Sequence, residues 1–281
     1  MRIDSHHHIW DLSVRDQEWI TGDAMQPIRR NFAISDLHQA ISGTGIEKTI
    51  LVQTVTDYAE TPELLAIAQS EQLVGAVVGW LQIDAPDAIA HLHQYLDLSG
   101  SEYLKSIRDI AQDHPDPNYL AKAQTIANVK KLGELGITFD LLTKTPELSA
   151  AINLVRACPD VLFVMDHISK PYIAKKEIEP WKSLITELAT FPNVLCKVSG
   201  LVTEANWRDW QVKDFKPYVD HVIEIFTPQR LMFGSDWPVS NLGGTYSQIV
   251  ELAEALTSGL SPSEAEFFWH KTAAAAYGLA Q

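Results

Sequence analysis

Arg2-Ile3-Asp4-Ser5-His6-His7-His8-Ile9-Trp10 stands at the start of the chain. The run is short, and a long polar stretch follows it, which predicts a β-strand over 2–8. Strand side chains alternate between faces. Asp4, His6 and His8 are therefore expected on one side, with Ser5 and His7 on the other. Two imidazoles two residues apart can chelate one divalent cation, or they can make ordinary hydrogen bonds. The histidines run directly into Ile9-Trp10, so they are read as part of the fold and not as a tag.

Seven further β-rich runs follow, over 48–54, 73–81, 104–110, 137–142, 162–167, 194–199 and 231–235. Between them lie segments of helical periodicity: 35–42 behind a Ser35 cap, 61–71, 84–96, 118–135, 145–157, 179–189, 214–226 and 246–256, with a last helix over 261–276. Eight strand–helix alternations without a long linker predict one α/β domain over 1–281, a single (β/α)8 TIM barrel. An open doubly wound sheet would carry a glycine-rich phosphate turn after an early strand, and the sequence has none. The long loops 11–31 and 202–213 follow the first and seventh strands, on the face where barrels build active sites.

Strand ends then supply partners for the histidine pair. Strand six ends in Asp166-His167 and strand eight in Gly234-Ser235-Asp236. In a closed barrel, His6, His8, His167 and Asp236 converge into a mixed nitrogen and oxygen shell suited to zinc or a similar divalent ion. Asp236 is the candidate general base. On strand four, Lys105 and Arg108 are three apart and face opposite ways. Arg108 is nearer the carboxyl end and is expected to meet substrate; the alternative is a local salt bridge to Asp109 or Asp113. Trp10, Trp80 and Trp237 fall near strand ends and suit either stacking on a flat substrate face or core packing. Lys197 and Ser199 share a face of strand seven; they either reach the site, back the residues that form it, or stay solvated.

The 281 residues carry a net charge of −14, with 46% hydrophobic and 21% charged residues. Such a chain repels phosphate backbones and anionic lipid, which excludes nucleic acid and membrane surfaces as expected partners. No apolar run reaches the ~18 residues of a membrane span, and no secretory leader is expected. Cys158 and Cys196 lie in apolar surroundings, as buried reduced thiols of a cytoplasmic protein would. Oligomeric state is left open, a homodimer being compatible.

Several motifs in order along the chain carry a family resemblance: Asp4-x-His6-x-His8-Ile9-Trp10-Asp11, Lys105-Ser106-Ile107-Arg108, Asp166-His167-x-x-Lys170-Pro171, Cys196-Lys197-x-Ser199-Gly200-Leu201 and Met232-Phe233-Gly234-Ser235-Asp236-Trp237-Pro238. The chain resembles the amidohydrolase superfamily, and within it the sugar-lactonase-like branch, amidohydrolase family 2. The resemblance implies a barrel hydrolase that opens the lactone of a sugar acid. His167 and Asp236 would be catalytic, and His6, His8, His167 and Asp236 the ligands of one divalent metal, zinc above others. Metal use varies in this branch, so metal-free catalysis is the alternative on that point. Two other activities fit the same barrel: metal-dependent decarboxylation of a small acid, and silent binding of a sugar acid or metal. Ser106 and Ser169 stand where the branch usually has glycine, and Thr272 where it often has asparagine.

Overall fold

The computed structural model describes residues 1–279. All eight expected strands are present: β1 (Arg2–His7), β2 (Ile46–Val52), β3 (Val74–Trp80), β4 (Leu104–Ile110), β5 (Thr138–Leu142), β6 (Phe163–Met165), β7 (Val194–Val198) and β8 (Leu231–Phe233). Each pairs in parallel with the next in sequence. The ring closes beyond the end of β8. There His8 N donates to Trp237 O at 2.7 Å and Asp236 N to His6 O at 2.8 Å. The structure is the (β/α)8 barrel that the alternation predicts.

The outer layer consists of α1 (Ile34–Ala40), α2 (Glu60–Ser70), α3 (Ala88–Leu96), α4 (Ala123–Glu134), α5 (Leu148–Ala157), α6 (Trp181–Ala189), α7 (Val212–Phe226) and α8 (Tyr246–Leu256). Ser35 does not cap α1. The helix starts one residue earlier, and the Asp36 carboxylate accepts the Ala33 N–H at 2.9 Å instead. Inside the barrel, Ile3, Ile50, Val52, Ala76, Val78 and Met232 pack with Ala273 and Tyr277. The latter two come from the C-terminal helical run, which thus joins the lumen core. Both cysteines are free and buried, as expected. Among the described residues no helix is long and apolar enough to cross a membrane.

Simple alternation fails on β1. Asp4 pairs with Thr49 but His7 with Leu51, so three steps on β1 match two on β2. This extra residue is a β-bulge, and it re-aims the side chains that follow. The expectation that Asp4 shares a face with His6 and His8 is therefore corrected. The Asp4 carboxylate accepts Tyr246 Oη–H from α8 at 2.8 Å, Ser235 N–H at 2.8 Å and Ser235 Oγ–H at 2.6 Å. Burial pushes its pKa up to about 6, against those hydrogen bonds. Asp4 thus ties β1 to the segment after β8. His6 and His8 meet each other, while His7 is buried with neither ring nitrogen partnered.

Candidate active site

Strand six stops early for a reason that bears on the site. His167, Ile168, Ser169 and Lys170 have φ of 55°, 47°, 55° and 44°, a left-handed turn of four residues. L-residues adopt this conformation at a cost of roughly 1–2 kcal/mol each, and such strain gathers at functional sites. The turn brings the His167 ring to 4.4 Å from that of His6, centroid to centroid. Ser169 occupies a position where glycine would be free of strain; its hydroxyl bonds Thr143 Oγ1 at 2.7 Å. Gly200, at φ 59°, leaves the room that His167 needs. A Cβ there would lie 2.6 Å from His167 Nδ1 and 3.2 Å from Asp236 Oδ2. Asp236 itself sits at φ 57° in the turn after β8.

Four side chains expected together are together. His6 Nε2 and His8 Nε2 are 3.2 Å apart. Asp236 Oδ1 lies 3.5 Å from His8 Nε2, 3.9 Å from His6 Nε2 and 3.8 Å from His167 Nε2. His6, His167 and Asp236 can offer ligand atoms all within 4.8 Å of one another. The second nitrogens are held from behind. His8 Nδ1 is 2.8 Å from Val52 O, and a carbonyl can only accept, so His8 carries its proton on Nδ1. His6 Nδ1 lies 3.3 Å from Asp166 Oδ1 and His167 Nδ1 2.8 Å from Ser199 Oγ. The three Nε2 atoms therefore face one another and a carboxylate, with the lone pair of His8 fixed on that side.

Charge follows the same pattern. Burial holds His6 well below the ordinary imidazole range, although Asp166 pulls the other way, and burial takes His167 down to about 3. Against the penalty of burial, His167, His8 and His6 hold Asp236 well below the usual carboxylate range. The imidazoles of His6 and His167, kept neutral by burial, converge here with His8 and the ionised Asp236 carboxylate, a donor set suited to a cation or a donated proton lying between them. The residues thus fit a divalent metal by donor type, protonation and backing hydrogen bonds.

Beneath them lies a buried ionic layer that the sequence reading did not assemble. Arg108 faces the lumen as expected. Its alternative partners are corrected: Arg108 Nη1 donates to Asp166 Oδ2 at 2.9 Å, while Asp109 accepts from Trp80 and Asp113 from Lys144. Lys197 is not solvated. It is fully buried, with Nζ 2.6 Å from Asp140 Oδ2, 2.9 Å from Asp166 Oδ1 and 3.3 Å from His6 Nδ1. Asp140 also accepts Ser106 Oγ–H at 2.6 Å and Tyr277 Oη–H at 2.8 Å. The Ser106 hydroxyl, absent in a glycine, has this use. Against burial, Lys197, His6 and Arg108 hold Asp166 well below the carboxylate range. Asp166 was legible only as the neighbour of His167 in a motif.

Above the cluster opens a cavity of about 280 Å³. Trp10, Trp80 and Trp237 do not line it: the substrate-stacking reading is corrected in favour of the packing one. Trp10 donates to Arg30 O at 2.7 Å and packs on Phe32, Trp80 donates to Asp109 Oδ1 at 2.8 Å, and Trp237 packs on Phe32. Trp19 and Trp207 line the cavity instead. They come from the two long loops whose position after β1 and β7 marked them as site-forming.

The amidohydrolase family pattern matches residues 3–279. An L-fucono-1,5-lactonase of Burkholderia ambifaria is 34% identical over 245 residues, 87% of this chain and 83% of the relative. An L-fucono-1,5-lactonase of Burkholderia multivorans is 32% identical over 290 residues, 99% and 96% of the two chains. The crystal structure of a zinc-bound amidohydrolase from Burkholderia multivorans superposes with a TM-score of 0.93 at 32% identity, covering both chains in full.

Proposed function

The chain belongs to the amidohydrolase family, and on that premise we propose that it hydrolyses the lactone of a sugar acid, of the L-fucono-1,5-lactone type. One observation carries the reading: the ionised Asp236 carboxylate and the Nε2 faces of His6, His8 and His167 converge at one cavity. A lactone is an ester closed into a ring, and opening it needs a water stripped of a proton and a stabilised carbonyl oxygen.

Asp236 accepts the proton of water as the new C–O bond forms. Arg108, whose Nε has no protein partner, is placed to orient the substrate and to donate to developing negative charge. When the tetrahedral carbon collapses, the ring C–O bond breaks, and Asp236 returns its proton to the leaving alkoxide. The product is the open hydroxy acid. His6, His8, His167 and Asp236 would hold a divalent cation, with zinc the best match to their nitrogen and oxygen donors, and it would supply carbonyl polarisation and a more acidic water. The substrate is a small molecule, and two buried thiols fit a cytoplasmic enzyme.

A pH-indicator screen of sugar lactones, before and after chelation, tests this. Acid release from L-fucono-1,5-lactone is expected, with activity lost on chelation and restored by zinc. Carbon dioxide release from a small acid, without lactone opening, would overturn the reading in favour of decarboxylation. Tight binding of lactones with no turnover would leave a silent binding protein.

A further inference from the structure

The cavity holds charged groups that the chemistry does not use. Lys170 and Glu204 both line it, from the left-handed turn after β6 and the loop after β7. Among the described residues, neither the Lys170 ammonium nor the Glu204 carboxylate has a hydrogen-bond or ion-pair partner within 4 Å. Gln112 also lines the cavity, and its Oε1 is buried without a partner. Around these three stand apolar and aromatic surfaces, including Trp19, Trp207 and Leu142. A few unpaired polar groups converging within apolar walls are the usual form of a ligand site. Half-buried charges left unpaired are costly, so their partner is expected from the ligand. Burial raises the Glu204 pKa, and Lys170 and Lys144 oppose that rise.

The chemistry of the pair narrows the ligand. One ammonium and one carboxylate cancel, so this wall suits an uncharged molecule better than an anion. A carboxylate accepts hydrogen bonds from hydroxyls, an ammonium donates to hydroxyl or ring oxygen, and the Gln112 amide can do either. Aromatic walls cover the apolar faces of a sugar ring. We propose that Glu204 and Lys170, with Gln112, are specificity-determining residues that read the ring hydroxyls of an uncharged lactone. This rests on the lactonase reading and goes beyond it by assigning substrate choice to groups outside the reacting centre.

The test compares Glu204→Gln and Lys170→Met with the parent enzyme on L-fucono-1,5-lactone and on unsubstituted δ-valerolactone, which lacks the hydroxyls. Hydrogen bonds to charged groups predict that the kcat/KM ratio of the first substrate to the second falls by roughly 10–100-fold in each variant. A ratio within twofold of the parent in both variants overturns the proposal, because a purely structural role would reduce both substrates together. Calorimetry with L-fucose, which offers ring hydroxyls and no ester, reads the same pair independently of turnover. Weaker L-fucose binding in both variants supports the assignment even if no lactone is opened, and unchanged binding removes it. Thermal midpoints near the parent value confirm that the variants are folded.

Discussion

The Lys197 ammonium lies 2.9 Å from Asp166 Oδ1, with both side chains fully buried. On its other side Lys197 meets Asp140 at 2.6 Å. Lys197 and Arg108 therefore face Asp166 and Asp140, two cations against two anions, directly below His6. Removing one member of such a layer strands a buried charge, which commonly costs about 3–5 kcal/mol. Lys197→Met is expected to lower stability by that order in urea unfolding. Lys197→Met with Asp140→Leu should recover part of the loss. Strict additivity of the two single changes would show that the pair is not coupled.

Asp236 is the base in the proposed reaction, and its carboxylate is ionised well below neutral pH. Asp236→Asn keeps the shape and removes the charge. The expected loss in kcat is ~100–10,000-fold, the usual contribution of a general base. Turnover at the parent rate would remove Asp236 from this role.

Gly200 is held at φ 59°, and an added Cβ would press on His167 Nδ1 at 2.6 Å. Gly200→Ala should therefore displace His167 as well as strain the backbone. The expected result is a fall in kcat and in zinc affinity together, with a lowered thermal midpoint. Gly136, also at positive φ (73°), has open space around its Cβ position. Gly136→Ala thus controls for backbone strain alone, and equal effects on activity from both substitutions would contradict the steric account.

The barrel was legible because eight apolar runs alternate with helical periods, and because His6, His8, His167 and Asp236 sit at strand ends. Those two facts place the four side chains on one face of a closed sheet. What period-2 reasoning could not anticipate was the β1 bulge, which turned Asp4 toward α8. Nor could it anticipate four consecutive left-handed residues, because none of them is glycine. Strand parity left open whether Lys197 reaches the site, backs it or stays in solvent. Its burial depends on Asp140 and Asp166 arriving from two other strands, a relationship absent from local sequence. The tryptophans were misplaced for a similar reason. Residues at or just beyond a strand end can turn either to the lumen or to the helix layer, and Trp80 and Trp10 bond Asp109 and Arg30 O instead of facing the cavity.

That placement separates two kinds of tryptophan. Trp80→Phe loses a buried hydrogen bond to Asp109 and should cost about 1–3 kcal/mol of stability. Its KM for lactone is expected within twofold of the parent. Trp207→Ala opens the cavity wall and should raise KM several-fold with a smaller change in stability. Reversed assignments, with Trp80 moving KM and Trp207 moving only stability, would place the sugar on the other side of the sheet.

His7 supplies a pH-dependent prediction. It is fully buried with both ring nitrogens unpartnered, and burial, with His8 adding to it, lowers its pKa to about 3. Between pH 6.5 and 3 the unfolded chain binds a proton at His7 that the folded chain does not. Stability from this residue is therefore complete above pH 6.5 and lost as pH falls toward 3. At about 1.4 kcal/mol per pH unit, the loss between pH 7 and pH 5 comes to about 2 kcal/mol. His7→Leu has similar size and no titrating group. It should stabilise the protein relative to the parent, and by about 2 kcal/mol more at pH 5 than at pH 7. Denaturant unfolding of both proteins at the two pH values measures the difference directly. A stability gap that stays constant with pH would mean that His7 titrates in the folded protein as it does in the unfolded chain.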